Sequence, residues 1–495
     1  MLFILSVSGS MTEPMSNNNG FQRVLRFAVL GSAIIATFAA AVVLAVQFGI
    51  HLANEWQQYT LLPSMPSPRA EDKILVFAPH SDDETLGCGG LLALASRQGA
   101  RLRVVLITNG DGYRVGVARA FGTLKITPEM CIRYAHQRQE ETYAALEVLR
   151  VPRRNVIFLG YPDRGIAALW HKNWAPDELY TSHATQMSHS PYPNAFRPNA
   201  PYCGESLLAD IERIILQEKP TDIYLPHPCD NHPDHWATYC FVTAALEQPS
   251  IIHLPIKLHT YLVHRGDWPT PKGDHPNQPL APPHALANGD TRWESLSLPA
   301  EIAAMKRTAI RKYKTQTAIE RGFLMSFART NEIFSDLPVR KVMSVADNAI
   351  TVDGNSEDWQ GIVPAVVDAV GDYVVAGLTK GGDVRAIYAC ADKRNLYVRI
   401  DCVRKLSKRL RYNIDFRSIE GSKANYYSVV IGPSFKYNTA EIPVAYKEKT
   451  IELAVPLTKF ETYRNLYIRV ETKLVKLIVD DTGWHDLEFA SSVSL

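Results

Sequence analysis

Lys73-Ile74-Leu75-Val76-Phe77-Ala78-Pro79-His80-Ser81-Asp82-Asp83-Glu84 is the stretch from which the fold can be read. It opens with a short apolar run, as expected of a strand buried on both faces. Four ionisable groups follow where that run stops. Leu86–Gln98 then reads as a helix closed by Gly99 at its C′ position. The alternation continues downstream. Leu102–Thr108, Val156–Leu159, Asp222–Leu225 and Lys257–Val263 read as strands. Pro128–Leu149, Ser206–Glu218, His235–Glu247 and Pro299–Ala318 read as helices. Alternating strands and helices predict an α/β, Rossmann-like, mostly parallel sheet with helices on both faces. Two irregular insertions, 168–204 and 264–299, interrupt it, and segments this long either carry function or decorate the surface.

In such sheets ligands sit beyond the carboxyl ends of the strands. His80, Asp82, Asp83 and Glu84 occupy that position after one strand, and His227-Pro228-Cys229-Asp230-Asn231-His232-Pro233-Asp234-His235 occupies it after another. Parallel strands bring both clusters to one edge. A catalytic zinc takes about three N or O ligands and keeps one open position, and His80, Asp83 and His235 can supply them. Asp82 stands beside Asp83 as a proton acceptor for a metal-activated water. His232 can polarise a carbonyl or protonate a leaving group, and Asp234 can hold the far nitrogen of a histidine. A single His-x-x-Asp is more often a polar turn than a metal site, but two such clusters after buried strands are harder to explain that way. A His-x-Asp pair with a distant His also fits a non-haem iron oxygenase, so Fe²⁺ is an alternative to Zn²⁺.

The stretch at 79–84 resembles the PHPDDE signature of the PIG-L/LmbE-like deacetylases, with Ser81 where the family commonly has Pro, and 227–235 resembles their second histidine motif. The residues 108–112 (TNGDG), Arg138–Glu141, Phe158–Asp163, Lys306–Gln316 and Arg329–Phe334 extend the likeness over about 72–335. It implies zinc-dependent removal of N-acetyl groups from an amino sugar, usually an N-acetylglucosamine derivative in a glycan or glycolipid. By that resemblance His80, Asp83 and His235 are metal ligands, Asp82 is the general base, and His232 with Asp234 stabilises the oxyanion or acts as acid. Arg138 and Asp163 are the weaker substrate-binding candidates. Arg138 has a competing reading as a helix-surface ion pair with Glu140 or Glu141.

Beyond 336 the pattern becomes one of short alternating strands, which predicts an all-β sandwich over 349–495 after a linker at 336–348. Ile350–Ile362, with Trp359, resembles the opening of family 9 carbohydrate-binding modules. Trp359 can stack on a sugar or sit in the core. If the sandwich binds glycan, its removal should spare a small soluble N-acetyl sugar.

At the other end, 27–46 is a run of twenty uncharged residues behind Arg23 and Arg26. Its length suits a transmembrane helix crossing about 30 Å of hydrocarbon. The positive-inside rule then predicts a cytoplasmic 1–26, an anchor at 27–50, a linker at 51–71 and an exported body. A long cleaved signal peptide is the alternative. Lys+Arg 53 against Asp+Glu 51 provides no general pull toward nucleic acid, and 7 Cys exclude a dense disulfide scaffold. A non-catalytic glycan-binding surface protein on the same fold remains the rival to the enzyme.

Overall fold

The computed structural model describes residues 62–266, 268–287, 291–371, 381–436, 441–460 and 466–489. The expected anchor at 27–46 lies outside them, and no helix among the described residues is long and apolar enough to cross a membrane.

The first layer system is a seven-stranded sheet in the order β3-β2-β1-β4-β5-β7-β6. Its strands are β1 (Lys73–Ala78), β2 (Arg101–Thr108), β3 (Val156–Tyr161), β4 (Asp222–Pro226), β5 (Lys257–Tyr261), β6 (Arg292–Ser297) and β7 (Asn331–Asp336). The first five pair in parallel, and β7 runs antiparallel to both β5 and β6. Strand β1 is buried from Ile74 to Ala78 because helices cover both faces. The longer helices are α1 (Asp83–Gln98), α2 (Arg114–Phe121), α3 (Pro128–Val148), α4 (Ile166–His171), α5 (Gly204–Glu218), α6 (Pro233–Leu246), α7 (Ala300–Ile310) and α8 (Lys314–Met325). Gly99 ends α1 at φ 80, the left-handed geometry that favours glycine.

Three differences from the sequence reading have physical causes. The single helix expected over Pro299–Ala318 is two, because Tyr313 leaves helical geometry and turns inward; its hydroxyl meets Thr85 Oγ1 at 2.9 Å. The expected linker at 51–71 is structured at its end: Ser64 bridges to Ser295 and Met65 is buried. The expected linker at 336–348 already contains β8 (Lys341–Ser344), which pairs with strands of the second sheet.

That second sheet has eleven strands. They are β8, β9 (Pro364–Val367), β10 (Val384–Ala391), β11 (Asn395–Cys402), β12 (Arg411–Glu420), β13 (Lys423–Ile431), β14 (Val444–Lys447), β15 (Thr450–Pro456), β16 (Leu466–Leu474), β17 (Leu477–Asp481) and β18 (His485–Phe489). Strands β8 and β18 join its two halves, and residues of both halves, such as Ile387, Val398, Ile414 and Ile468, share one apolar core. Trp359 belongs to a small satellite core with Ile350, Tyr397 and Ala454, and at 3% exposure it offers no sugar platform. Cys390 and Cys402 pair with Tyr397 and Val384 and not with each other.

The two modules are fused through a common core. Trp170 of α4 packs edge-on against Tyr467 and Trp484 of the sandwich, with ring centroids 5.3 and 6.0 Å away. Trp174 Nε1 donates to the Ser422 carbonyl at 2.6 Å. The insertion at 168–204, expected to carry function or to decorate the surface, contributes to this inter-module packing.

Candidate metal centre and its cleft

Strands β1 and β4 are adjacent and parallel, so the loops after them emerge side by side. The first loop turns sharply. Asp82 has φ 118 and ψ −32, a backbone conformation that costs energy in a non-glycine residue and is stored mostly at functional sites. Its amide donates to Glu84 Oε2 at 3.0 Å, and its carbonyl accepts from Thr85 and Leu86. This turn makes Asp83 the first residue of α1 and separates its side chain from that of Asp82. In the second loop His232 caps α6, its Nδ1 accepting from the Asp234 amide at 3.2 Å.

Asp83 Oδ2 lies 3.0 Å from His80 Nδ1 and 3.0 Å from His235 Nε2. Tetrahedral zinc with bonds of about 2.0–2.1 Å separates its ligand atoms by roughly 3.3 Å, so this spacing suits ligands sharing an ion. His80, His232 and His235 also present ring nitrogens within 4.8 Å of one another. His235 is fully buried, and neither ring nitrogen attains hydrogen-bond geometry although carboxylate oxygens stand 3.0 and 3.1 Å away. The Nε2 approach to Asp83 without a hydrogen bond fits a shared dication between those two atoms.

The structure places Asp163 and Asp234 at this centre too, 3.3 and 3.2 Å from His80 Nε2. For Asp234 this corrects the expectation that its side chain tunes His232. Its carboxylate accepts from the Arg164 and Ile166 amides at 2.6 and 3.1 Å and faces His80 instead. What orients His232 is the Asp234 backbone. With an N–H pointing at Nδ1, the neutral ring carries its proton on Nε2. Arg138 is 4% exposed and not a surface pair. Its Nη2 donates to the Ser81 carbonyl at 2.7 Å and lies 3.8 Å from Asp82 Oδ1. Glu140 instead pairs with Arg153, and Glu141 accepts from Thr315.

Two residues were missed. Asp230 Oδ2 stands 3.1 Å from His235 Nδ1 and accepts from the Val263 and His264 amides, the position of a carboxylate that orients a metal-binding histidine. His264 groups with Asp83 and His235. The strand-end rule pointed to it, because it directly follows the stretch expected as the strand Lys257–Val263.

Electrostatics express the same convergence. Burial opposes ionisation of Asp83, yet His235 and His80 hold its carboxyl well below the usual range. Burial also opposes charging of His80 and His235, but Asp163, Asp234 and Asp83 keep the first raised, and Asp230 with Asp83 lifts the second to about 9. Protons shared this way are what a dication displaces. Asp82 differs: burial raises it, and Arg138 only partly offsets this. Burial and the neighbouring His80 and His235 push His232 down to about 2, so it is a neutral N–H donor. The cleft over these groups is lined further by Tyr113, Arg164, Gln316, Glu320 and Phe323; of the 264–299 insertion only His264 reaches it among the described residues.

Residues 75–246 match the family model described as PIG-L: GlcNAc-PI de-N-acetylase. Among solved structures, the chain is similar to a conserved protein from Thermus thermophilus, at 22% identity over 54% of this chain and 96% of that one, with a TM-score of 0.33. It is also similar to the N,N'-diacetylchitobiose deacetylase from Pyrococcus horikoshii, at 18% identity over 55% and 86% with a TM-score of 0.34. A deacetylase of teicoplanin biosynthesis matches at 19% over 53% and 96%, with a TM-score of 0.35.

Proposed function

From a chain whose residues 75–246 form a PIG-L-family domain, we propose a metal-dependent N-deacetylase that releases acetate from an N-acetylated amino sugar of the N-acetylglucosamine type. The observation that carries this reading is Asp83 Oδ2 held 3.0 Å from both His80 Nδ1 and His235 Nε2, with Asp82 lining the same cleft. His80, Asp83 and His235 would hold the ion, zinc by their N and O donor chemistry. When bound, zinc would lower the pKa of its water to about 7 and polarise a carbonyl.

The chain's own residues do the rest. Asp82 accepts the proton of the attacking water, and Arg138 beside it keeps the resulting charges balanced. Oxygen adds to the acetamide carbon, and His232 donates Nε2–H to the carbonyl oxygen as charge develops there. When the C–N bond breaks, Asp82 returns the proton to the amine, leaving acetate and the free amino sugar. His232 needs no charge for this role, in keeping with its depressed basicity.

The uncharged run at 27–46, preceded by Arg23 and Arg26, supports a single-pass anchor with the body outside the cytoplasm, acting on cell-surface or lipid-linked sugars. A reporter fused after Leu495 tests this, and cytoplasmic reporter activity overturns it. For the chemistry, metal content of the purified protein is measured beside acetate release from a panel of N-acetylated glycans. Full metal loading without acetate from any of them overturns the proposal.

A further inference from the structure

The hairpin joining β16 to β17 ends in Leu474-Val475-Lys476-Leu477-Ile478, with Leu474 opposite Leu477. Val475 is 82% exposed, Leu477 45% and Ile478 42%. Val475 also sits at φ 59. Two-residue hairpin turns favour Gly, Asn or Asp in that conformation, and a β-branched residue there is strained. A valine thus occupies a turn where neither solvent nor backbone favours it.

Cations surround this tip. Arg411 at the start of β12 pairs in register with Lys473. Gly382 packs against Leu410, Thr472 and Val479, which ties the 403–410 loop to the hairpin. Arg404, Lys405, Lys408, Arg409, Arg411 and Lys476 are all exposed, and none makes an ion pair among the described residues. The adjoining turn adds Lys447 and Lys449 against Glu448, whose carbonyl accepts from Leu406. The carboxylates nearest the hairpin turn inward: Glu471 takes Lys473 and Arg469, and Asp481 takes Arg469.

We infer that this end of the sandwich docks onto an anionic lipid surface, Val475, Leu477 and Ile478 entering the interface while the surrounding cations meet headgroups. An exposed apolar patch rimmed by Lys and Arg matches that surface in both polarity and charge. A soluble polyanion would use the cations but leave the apolar tip in water. From the tip, β17 leads back to Thr482 and Gly483, which contact Cys229 and Pro228 of the second histidine loop. The docking surface and the metal loop are therefore joined by one strand.

Hydrogen exchange of the full-length chain with added vesicles tests this. Phosphatidylcholine vesicles containing phosphatidylglycerol should protect 404–411 and 474–478, while pure phosphatidylcholine should not. Neutralising each cation should lower the protection about fivefold, the equivalent of about 1 kcal/mol per charge. Val475→Asp combined with Leu477→Asp should abolish protection of the tip, with exchange elsewhere and turnover of a soluble substrate unchanged. Equal exchange with and without anionic vesicles overturns the inference. So does full protection in the double variant, or equal protection of the whole region by heparin, which would mark a polyanion site.

Discussion

The cleft of the α/β module and the sandwich face that leans on it both bury charge, but they treat it differently. On the sandwich, charges cancel locally. Arg469 Nε bonds Asp481 Oδ1 at 2.7 Å, and Asp415 accepts from Tyr426 and Ser428 at 2.8 and 2.6 Å. An exception is Arg417, whose Nε and Nη2 have no hydrogen-bond partner among the described residues and whose guanidinium lies 4.7 Å from the Trp174 ring. In the cleft, Asp83, Asp163, Asp230 and Asp234 converge on His80 and His235, and His235 satisfies none of its neighbours by hydrogen bonding. Buried polarity is therefore common to both regions; the convergence of several ligand-type atoms on one point is what sets the cleft apart from a structural ion-pair network.

The contrast breaks most severely at the ligands. Asp83→Ala or His235→Ala should lose bound metal and acetate release together, measured by elemental analysis beside a turnover assay. Asp82→Asn should keep the metal while the rate falls by about 10²–10⁴, the usual contribution of general acid–base catalysis. If it loses its metal while Asp83→Ala retains it, the two roles are reversed.

On the sandwich side, Trp484→Ala should lower stability by about 3–5 kcal/mol in a thermal or denaturant melt. Because its ring packs in the core shared with Trp170, deleting 341–495 should abolish activity on a small soluble N-acetyl sugar as well as on a polymer. This reverses what a separable glycan-binding module implies, and retained activity on the small sugar would show that the modules fold independently. The smallest effect is expected from Asp230→Asn. Metal affinity should drop about 10–100-fold, as for other carboxylates that orient a metal-binding histidine, read by competition with a chelator while thermal stability of the metal-loaded protein changes little.

Much of this was legible in the residue order. Buried strands read as apolar runs because both faces are covered, and their carboxyl ends share one edge of a parallel sheet, so the meeting of His80, Asp83 and His235 could be expected from the residue order. The antiparallel β6 and β7 were not separable from their surroundings, because such short segments match several patterns at once.

Spacing along the chain determined that two ionisable clusters share one edge of a parallel sheet. Side-chain direction is a different kind of information. It depends on backbone torsions and on partners far away in sequence, so only the tertiary structure turned Asp234 from His232 toward His80, buried Arg138 against Ser81 and Asp82, and brought Asp230 behind His235. Likewise, strand periodicity marked a sandwich, but no local pattern could report that Tyr467 and Trp484 complete the core begun by Trp170, because that contact spans some three hundred residues of chain and exists only once both sheets have formed.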